Sequence, residues 1–498
     1  MKSVTILTIA AMAMAAATGC SHDTPTPSPE PPVKGGEFNE FGFTTTAPVT
    51  LSVDYGDMAG MPANVYFEVY DTCPVEETET AYAKIAGVEP LYAGYTDGQG
   101  RFEGTIELPA YIRKAYVLTP AFYARTLLEA TRSGDMLTAS AESGAPANAA
   151  PASTRAKEYH STAVERDGWK TWLGSYDTTY GSIGYEYDGD LKVKNYGALL
   201  KAHASVFDTT KKCPKEYRSS RDLYLEKSAE VVITLLGSNT CWNSSMGYYY
   251  YKTGNKPKSL ADANVVMIFP NTQDGRWSNS PWESRLYQGV ERGTAVQLIY
   301  YPEIADGSKA GATTVFPADY RIGFVLATNA WTNRLRAGDK KYRAATSDGL
   351  SVNNNGVAYQ TPRTAVFRYT DKKSGINSVL FSFEDHTNDE NFSDVVFTMT
   401  SNPVDAVTDI PSVDVNDGKK TANVLRGIYA FEDLWPSRGD YDMNDVMVRS
   451  DYEKVFNEKG VFEESFMLKT FANFAGNANG LAVTLTGAAA DAKLEFSV

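Results

Sequence analysis

Residues 379–397 read VLFSFEDHTNDENFSDVVF, a short apolar run, an acidic loop and a second apolar run. This pattern predicts a strand, a loop and a strand, because each run is rich in Val and Phe and has the length of one strand. Residues 431–448, FEDLWPSRGDYDMNDVMV, repeat the signature. Each copy has F-E-D, a polar loop, D-x-[ND]-x-x-D and an apolar run. Such a repeat within one chain indicates a shared local structure rather than a chance cluster of acids.

The two loops are candidate calcium sites. Carboxylates that converge from one loop repel each other unless a cation lies among them, and Ca²⁺ binds about six to eight oxygens in flexible geometry. The second loop is the more acidic, so we expect it to bind calcium and the first to be its weakened copy. The predicted ligands are Asp433, Asp440, Asp442, Asn444 and Asp445 in the second loop, and Asp385, Asp389, Asn391 and Asp394 in the first.

Neither loop is an EF-hand. An EF-hand loop has glycine at its sixth position, where this chain has Asp394 and Asp445, and it lies between helices, whereas the flanking runs here predict strands. Three interpretations stay open: a calcium site, a solvated acidic turn whose aspartates cap loop amides, and a carboxylate pair for glycoside hydrolysis. We favour calcium, since nothing in the sequence marks one carboxylate as a catalytic acid.

The rest of the chain predicts a mainly β, multidomain protein of the β-sandwich or jelly-roll type. Its 498 residues exceed one ordinary domain. Strand-like runs such as 101–108 and 231–236 recur without regular helices between them, and 191–206 has helical spacing. We expect a lipoprotein signal peptide at 1–20, a Pro-rich linker at 21–37, an N-terminal β-sandwich at 38–135, a linker at 136–160, a β-rich central region at 161–404, a linker at 405–421 and a C-terminal β domain at 422–498. The last residues, 494–498, look like the middle of a strand, so we expect the C-terminal domain to be incomplete.

The N-terminus predicts a lipid anchor. Lys2 precedes an apolar run from Val4 to Ala17, and small residues lead to Cys20. This order is typical of a bacterial lipoprotein signal, in which cleavage before the cysteine leaves it to carry lipid. The run is too short for a transmembrane helix. We therefore expect attachment to the outer membrane of a cell envelope through Cys20, with the side of the membrane left open.

Charge and motifs limit the classes of function. The formal net charge of −14 disfavours nucleic acid as a partner, because that partner needs a basic face. We find no P-loop, dinucleotide or G-x-S-x-G motif, and we expect a protein that is not an enzyme. Cys73, Cys213 and Cys241 leave two alternatives, a Cys213–Cys241 disulfide or three free thiols.

Aromatic residues suggest a second kind of binding. Tyr249 lies in the run 248–251, and Trp435 lies inside the second acidic loop. Either ring could contact a glycan. A tyrosine run in a strand is more often half-buried sheet packing.

These segments resemble the LruC-domain proteins of Bacteroidetes. The resemblance covers residues 40–498 and is carried by Leu236-Gly237-Ser238-Asn239, by Leu260-Ala261-Asp262 after the tyrosine run, and above all by the two acidic signatures. It implies a cell-envelope protein, often with a lipoprotein signal, built from two successive domains of unknown function. It supplies no mechanism.

The sequence thus predicts a lipid-anchored binding or adhesion protein with a structural calcium site. Its partner would be a glycan, a host matrix or another envelope protein, and its oligomeric state is open. The alternatives are a lipoprotein that captures or processes glycans, and a purely structural envelope component.

Overall fold

The computed structural model describes 4–9, 46–56, 64–77, 82–141, 160–194, 196–240, 242–273, 289–332, 342–371, 376–386, 389–412, 420–433, 442–457, 460–483 and 494–495. The fold is mainly β, as the sequence predicts. Its strands form an N-terminal sheet, a central sandwich and a C-terminal sheet. No helix in this part of the chain is long and apolar enough to cross a membrane.

The N-terminal sheet has seven strands. All neighbours are antiparallel except one parallel pair, between 136–140 and 46–54. In spatial order the strands are Tyr92–Tyr95, Tyr66–Tyr70, Lys114–Leu118, Leu127–Ser133, Met136–Ser140, Thr46–Asp54 and Arg101–Pro109. A separate two-stranded hairpin, Val75–Glu77 with Tyr82–Lys84, packs against this sheet through Val75.

This sheet folds back on itself. Phe102 in the last strand packs edge-on against Phe67, near the other edge of the sheet, with ring centroids 5.1 Å apart. Tyr92 in the first strand lies 5.8 Å from Phe102. The strands alternate buried and exposed residues, as in 46–54, where Val49, Leu51 and Val53 face inward. A single sheet can therefore enclose its own core.

The central sandwich has two sheets. The first contains Thr171–Trp172, Val266–Phe269, Ser245–Lys252, Tyr320–Ala327, Leu223–Leu225 and Val407–Thr408 in that order, with Arg343–Ala345 beside Tyr320–Ala327. The second contains Ala295–Gln297, Ala229–Ser238, Val395–Asn402, Ile376–Phe383 and Thr364–Asp371, with Val315–Phe316 beside Ala229–Ser238. Smaller elements are the strand pair His160–Ser161 and Trp331–Thr332, the helix Ala163–Asp167 and the 3₁₀ turns Lys215–Tyr217 and Ile304–Asp306.

Phenylalanine rings join the two sheets of the sandwich. Phe324 of the first sheet lies 5.2 Å from Phe381 and 5.0 Å from Phe397 of the second, measured between ring centroids. Phe381 and Phe397 are themselves stacked on neighbouring strands, 4.7 Å apart. All three rings are buried. The strands that flank the first acidic loop are thus fixed by the centre of the core.

The outer face of the second sheet packs against the helix Tyr196–Val206 and, through it, against the N-terminal domain. His203 of this helix is fully buried between Phe122 and Phe207, with ring centroids 4.6 and 4.5 Å away. Its Nε2 lies 3.0 Å from the hydroxyl of Ser382 in the sheet. The N-terminal domain and the sandwich therefore share one continuous core.

The C-terminal sheet is an antiparallel set of three long strands, Lys420–Phe431, Val446–Asn457 and Gly460–Asn473. Val4–Ile9 and Leu494–Glu495 extend it in parallel. Cleavage before Cys20, which the sequence predicts, would remove Val4–Ile9 from the mature protein. Phe456 packs against Tyr66 and Tyr95, so this sheet contacts the N-terminal domain.

Several predicted boundaries shift in the structure. Met136–Ser140 is a strand of the N-terminal sheet, so the sheet continues into the expected linker at 136–160. Val407–Thr408 pairs with Leu223–Leu225 inside the expected linker at 405–421. Ladder hydrogen bonds decide both cases: Met136–Ser140 pairs with the preceding strand Leu127–Ser133 and with the distant Thr46–Asp54, and composition does not show this pairing.

Two other predictions concern single residues. Cys213 is a buried free thiol, so the Cys213–Cys241 disulfide is not formed; Cys241 itself lies outside the described residues. The structure also leaves Cys20 undescribed.

The phenylalanine rings that join the two sheets of the sandwich give a first prediction. Phe397→Ala removes a buried ring that three others contact, so the free energy of unfolding should fall by about 3–5 kcal/mol. Urea denaturation measures it. Val357→Ala, in an exposed loop of the same sandwich, should change stability by less than about 0.5 kcal/mol. Equal midpoints for both variants would contradict this account of the core.

Candidate metal centre in two acidic loops

The first acidic loop joins two neighbouring antiparallel strands of the sandwich. Phe383 and Val395 form the last pair of their ladder. Glu384 and Asp394 follow directly on the two sides, so the register alone places these carboxylates opposite each other. Because Phe383 and Val395 are buried in the core, the ends of the loop cannot separate.

Side-chain oxygens fix the backbone of this loop. Asp394 Oδ2 accepts a hydrogen bond from the amide of Asp385 at 2.6 Å, and Asn391 Oδ1 accepts one from Ser393 at 2.7 Å. Phe392, which lies between Asn391 and Ser393, has φ of +58°, a left-handed conformation that is rare for an aromatic residue. Its amide donates to Glu384 Oε2 at 3.2 Å. The loop is therefore held in one defined shape.

Three carboxylates converge inside this shape. Glu384, Asp389 and Asp394 each place an oxygen within 4.8 Å of the other two. Glu384 and Asp394 are only 1% and 3% exposed. Asp385 is equally buried but turns toward Thr240, whose hydroxyl donates to its Oδ2 at 2.6 Å.

Arg363 is the one buried cation within ion-pair distance of these four carboxyls in the part of the chain that the structure describes. Its Nη2 lies 3.2 Å from Glu384 Oε1. The pair lacks hydrogen-bond geometry, and Glu384 Oε1 is a buried acceptor without a hydrogen bond. Three buried carboxyls and the half-buried Asp389 against one guanidinium leave an excess of negative charge that burial makes costly. The loop must take up protons or a further cation.

The excess of negative charge changes the pKa values of the carboxyls. Burial, reinforced by the neighbouring acids, raises the pKa of Glu384 and of Asp394 well above the usual range. Burial also raises the pKa of Asp385 to about 7 and increases the pKa of Asp389. Shifts in this direction show that the folded loop disfavours four bare carboxylates.

Glu390 differs from its neighbours because it points toward a basic surface. Although burial opposes it, Arg218 and Lys212 hold the pKa of Glu390 below its usual value. Its Oε2 lies 3.3 Å from Arg218 and 3.4 Å from Lys212. Glu390 is thus already neutralised and leaves the other acids of the loop uncompensated.

The second loop repeats the hydrogen bonds of the first. The amide of Asp433 donates to Asp445 Oδ2 at 2.8 Å, and Met443, with φ of +57°, donates its amide to Glu432 Oε2 at 3.3 Å. The amide of Asn444 donates to Asp442 Oδ1 at 3.2 Å. Each bond has its counterpart in the first loop, at Asp385–Asp394, Phe392–Glu384 and Ser393–Asn391. One loop architecture is therefore built twice.

The second loop differs in burial. Glu432, Asp433 and Asp445 bring their oxygens within 4.8 Å of one another, but all three are half-buried. Asp433 Oδ2 accepts from Asn477 at 2.8 Å. Asp442 and Asn444 hydrogen-bond to each other. Water can therefore screen this loop, whereas it has little access to the first.

The structure changes the set of residues expected at each site. Glu384 and Glu432 join the acidic groups, although the sequence analysis did not assign them a role. The repeated F-E-D was the signal, since its Glu immediately follows a strand in both copies. Asp385 lies beside the first group, and Asn391 supports the loop while its Nδ2 bonds Asp389 Oδ2 at 3.0 Å. Asp440 lies outside the described residues.

The glycan-contacting role predicted for Tyr249 is wrong. Its side chain is fully buried, and its hydroxyl donates to Ser347 Oγ at 2.7 Å. Tyr248 is also fully buried, because both faces of this central strand are covered. Trp435, the other candidate, lies outside the described residues.

Two segments of the chain match known families. Residues 47–141 match a domain of unknown function, DUF8469, and residues 316–402 match another, DUF4114. The chain carries two successive domains of unknown function. No curated protein and no solved structure matches it. DUF8469 coincides with the N-terminal sheet, and DUF4114 contains the whole first acidic loop.

The raised pKa values give a pH prediction for the metal-free protein. A carboxyl whose pKa is raised on folding contributes stability that is complete below its unfolded pKa, near 4, and is lost as the pH rises through the folded pKa. For Asp385 that loss is complete once the pH has risen past about 7. In EDTA, the melting temperature should therefore be higher at pH 6.5 than at pH 8.

Between pH 6.5 and 8, His203 opposes this effect only weakly. Burial lowers the pKa of His203 to about 3, so its contribution to stability is complete above its unfolded value near 6.5 and is lost below that. Asp385→Asn, which is neutral at every pH, should reduce the difference between pH 6.5 and 8. A higher melting temperature at pH 8 in EDTA would contradict the assignment of buried, protonated carboxyls.

Proposed function

We propose that this chain is a calcium-stabilised binding or adhesion protein of a cell envelope, attached to the outer membrane through lipid on Cys20. The observation that carries the proposal is the first acidic loop, where the buried Glu384 and Asp394 converge with the half-buried Asp389. The doubled acidic signature is also the basis of the resemblance to LruC-domain proteins of Bacteroidetes, which we extend to this chain as part of the proposal.

The donor set of the first loop fits Ca²⁺. It offers hard carboxylate oxygens on a loop whose backbone is already ordered, and calcium accepts carbonyl and water oxygens for its remaining positions. The buried oxygen Glu384 Oε1 accepts no hydrogen bond, although Arg363 Nη2 lies 3.2 Å from it. A divalent ion would balance most of the excess charge. Because the first loop is the more buried, we propose that it binds calcium more tightly, which reverses the order inferred from acidity.

Calcium in the second loop would be weaker. Glu432, Asp433 and Asp445 form the same arrangement at the end of the C-terminal hairpin. Their exposure lets water compete for the ion and reduces the penalty of leaving it unbound. Affinity in the range of extracellular calcium sites would suffice for both loops.

The ion in the first loop would also hold two domains together. Asn391 Nδ2 donates to the carbonyl of Thr209 at 3.1 Å, and Glu390 accepts from the amide of Cys213 through its carbonyl at 2.7 Å. The amide of Thr209 in turn donates to the carbonyl of Pro120 in the N-terminal domain at 3.1 Å. An ordered loop therefore fixes the segment 209–213 against that domain.

Burial argues against catalysis in the first loop. Glycoside hydrolysis needs one protonated and one ionised carboxyl in contact with a sugar. Glu384 and Asp394 have the raised pKa of a potential acid, but they are almost fully buried and cannot contact a glycan. We therefore propose a structural role for these acids and a binding role for the protein. Its partner would be a glycan, a matrix component or an envelope protein.

Thermal unfolding tests the calcium proposal. The purified full chain should melt several degrees higher in calcium than in EDTA, because a ligand at about 100 times its Kd stabilises the folded state by about 2.7 kcal/mol. Asp394→Asn should abolish most of the rise, and Asp445→Asn a smaller part. In EDTA, Asp394→Asn should melt no lower than the native chain, since the amide needs no proton to be neutral and its oxygen can still accept from the amide of Asp385.

A matched control separates calcium binding from the loss of an ordinary loop acid. Asp177 also caps loop amides, accepting from Thr179 and Tyr180 at 2.8 Å, but it belongs to neither acidic group. Asp177→Asn should keep the full response to calcium. Identical melting curves in calcium and EDTA for the native chain would refute the proposal.

A further inference from the structure

A cleft of about 490 Å³ opens between the N-terminal domain and the central sandwich. One wall is the segment 82–89 of the N-terminal domain, and the other is 210–212. The amide of Lys84 donates to the carbonyl of Thr210 at 3.2 Å and closes one end. Asp389 of the first acidic loop also lines the cleft. The volume is suitable for one or two sugar rings, since small-ligand sites span roughly 300–1,000 Å³.

Lysines outnumber acids in the cleft. Lys84, Lys211 and Lys212 line it together with Glu89 and Asp389. This is unusual in a chain whose net charge is −14. Exposed lysines that line a cleft can attract an anion on a chain whose surface is acidic elsewhere.

Two of these lysines are available to a ligand. Lys211 and Lys212 are 60% and 68% exposed, and each has a single acidic partner at 3.4 Å, Asp208 and Glu390 respectively. Because each ammonium is exposed and has three N–H donors, it can bind a ligand oxygen while it keeps its half-buried acidic partner. Lys84 differs, since Glu68 holds it at 2.9 Å in a half-buried pair.

We propose that this interdomain cleft binds a small acidic saccharide, a uronic acid, through its carboxylate. Lys211 and Lys212 would bind the carboxylate by charge-assisted hydrogen bonds. Tyr82, Ile85 and Val88 supply apolar surface for the ring. The inference deepens the binding role proposed above by giving it a place and a ligand class.

Asp389 links the cleft to the proposed calcium site, and this part rests on the proposed function. The same side chain lines the cleft and belongs to the acidic group with Glu384 and Asp394. Without an ion its carboxylate repels an anion in the cleft. With Ca²⁺ bound, most of this negative charge is balanced and the repulsion becomes weaker. Calcium should therefore strengthen binding of the saccharide, and by linkage the saccharide should strengthen binding of calcium.

Isothermal titration calorimetry on the purified full chain tests the cleft. The probes are D-galacturonate and its dimer, with D-galactose as the neutral match and glucose 1-phosphate as an alternative anion. We expect saturable binding of the uronates and none of galactose. The double variant Lys211→Ala/Lys212→Ala should lose about tenfold or more in affinity, since two charge-assisted hydrogen bonds are removed. Lys258→Ala, an exposed lysine outside the cleft, should match the native chain.

The outcomes separate the two proposals. No saturable binding of either uronate, or unchanged affinity in the double lysine variant, would overturn the cleft assignment. Tighter binding of glucose 1-phosphate than of galacturonate would overturn the uronate assignment. Equal affinity in calcium and EDTA, with the melting response to calcium intact, would overturn the link through Asp389 alone. A missing melting response with lysine-dependent uronate binding would refute calcium and leave the cleft standing.

Discussion

In the central sandwich, hydrophobic packing of two neighbouring strands opposes the repulsion between the carboxyls at the end of the same hairpin. Stacked Phe381 and Phe397 hold two neighbouring strands in register, and that register brings Glu384 and Asp394 together beneath the surface. Hydrophobic burial is favourable at the strands, while burial of like charges is unfavourable one residue further along. The loop bonds, the raised pKa values and the proposed ion all follow from this juxtaposition. Any account of what the protein does has to begin with how that charge is balanced.

The same hairpin connects the site to the rest of the molecule. The segment 209–213 lies between the first acidic loop and the N-terminal domain, and the helix Tyr196–Val206 joins both to a common core. An ion or protons that balance the charge of the loop would therefore also stabilise the contact between the central sandwich and the N-terminal domain. The cleft lies at this boundary, which is where ligand sites often occur in multidomain proteins.

The two acidic loops have the same local structure but differ in how deeply they are buried. Both copies have the same three amide-to-carboxamide or amide-to-carboxylate bonds and the same left-handed residue. They differ in what surrounds them, a packed sandwich in one case and the C-terminal sheet in the other. The number of acids predicts that the second loop binds calcium more tightly than the first. Burial predicts the opposite order of calcium affinity. The reason is that the strength of an electrostatic interaction depends on the surrounding dielectric more than on the number of charges.

The sequence by itself determined the mainly β class, the strand–loop–strand form of both acidic signatures and the helix near 191–206, since alternation, apolar runs and spacing are local properties. It did not determine that Tyr249 is buried on a doubly covered strand, that 136–140 completes the N-terminal sheet, or that Glu384 turns into the acidic group. These depend on which strands become neighbours. Only the tertiary structure decides that, because the pairing partners are distant in sequence and burial is a property of the whole assembly of sheets.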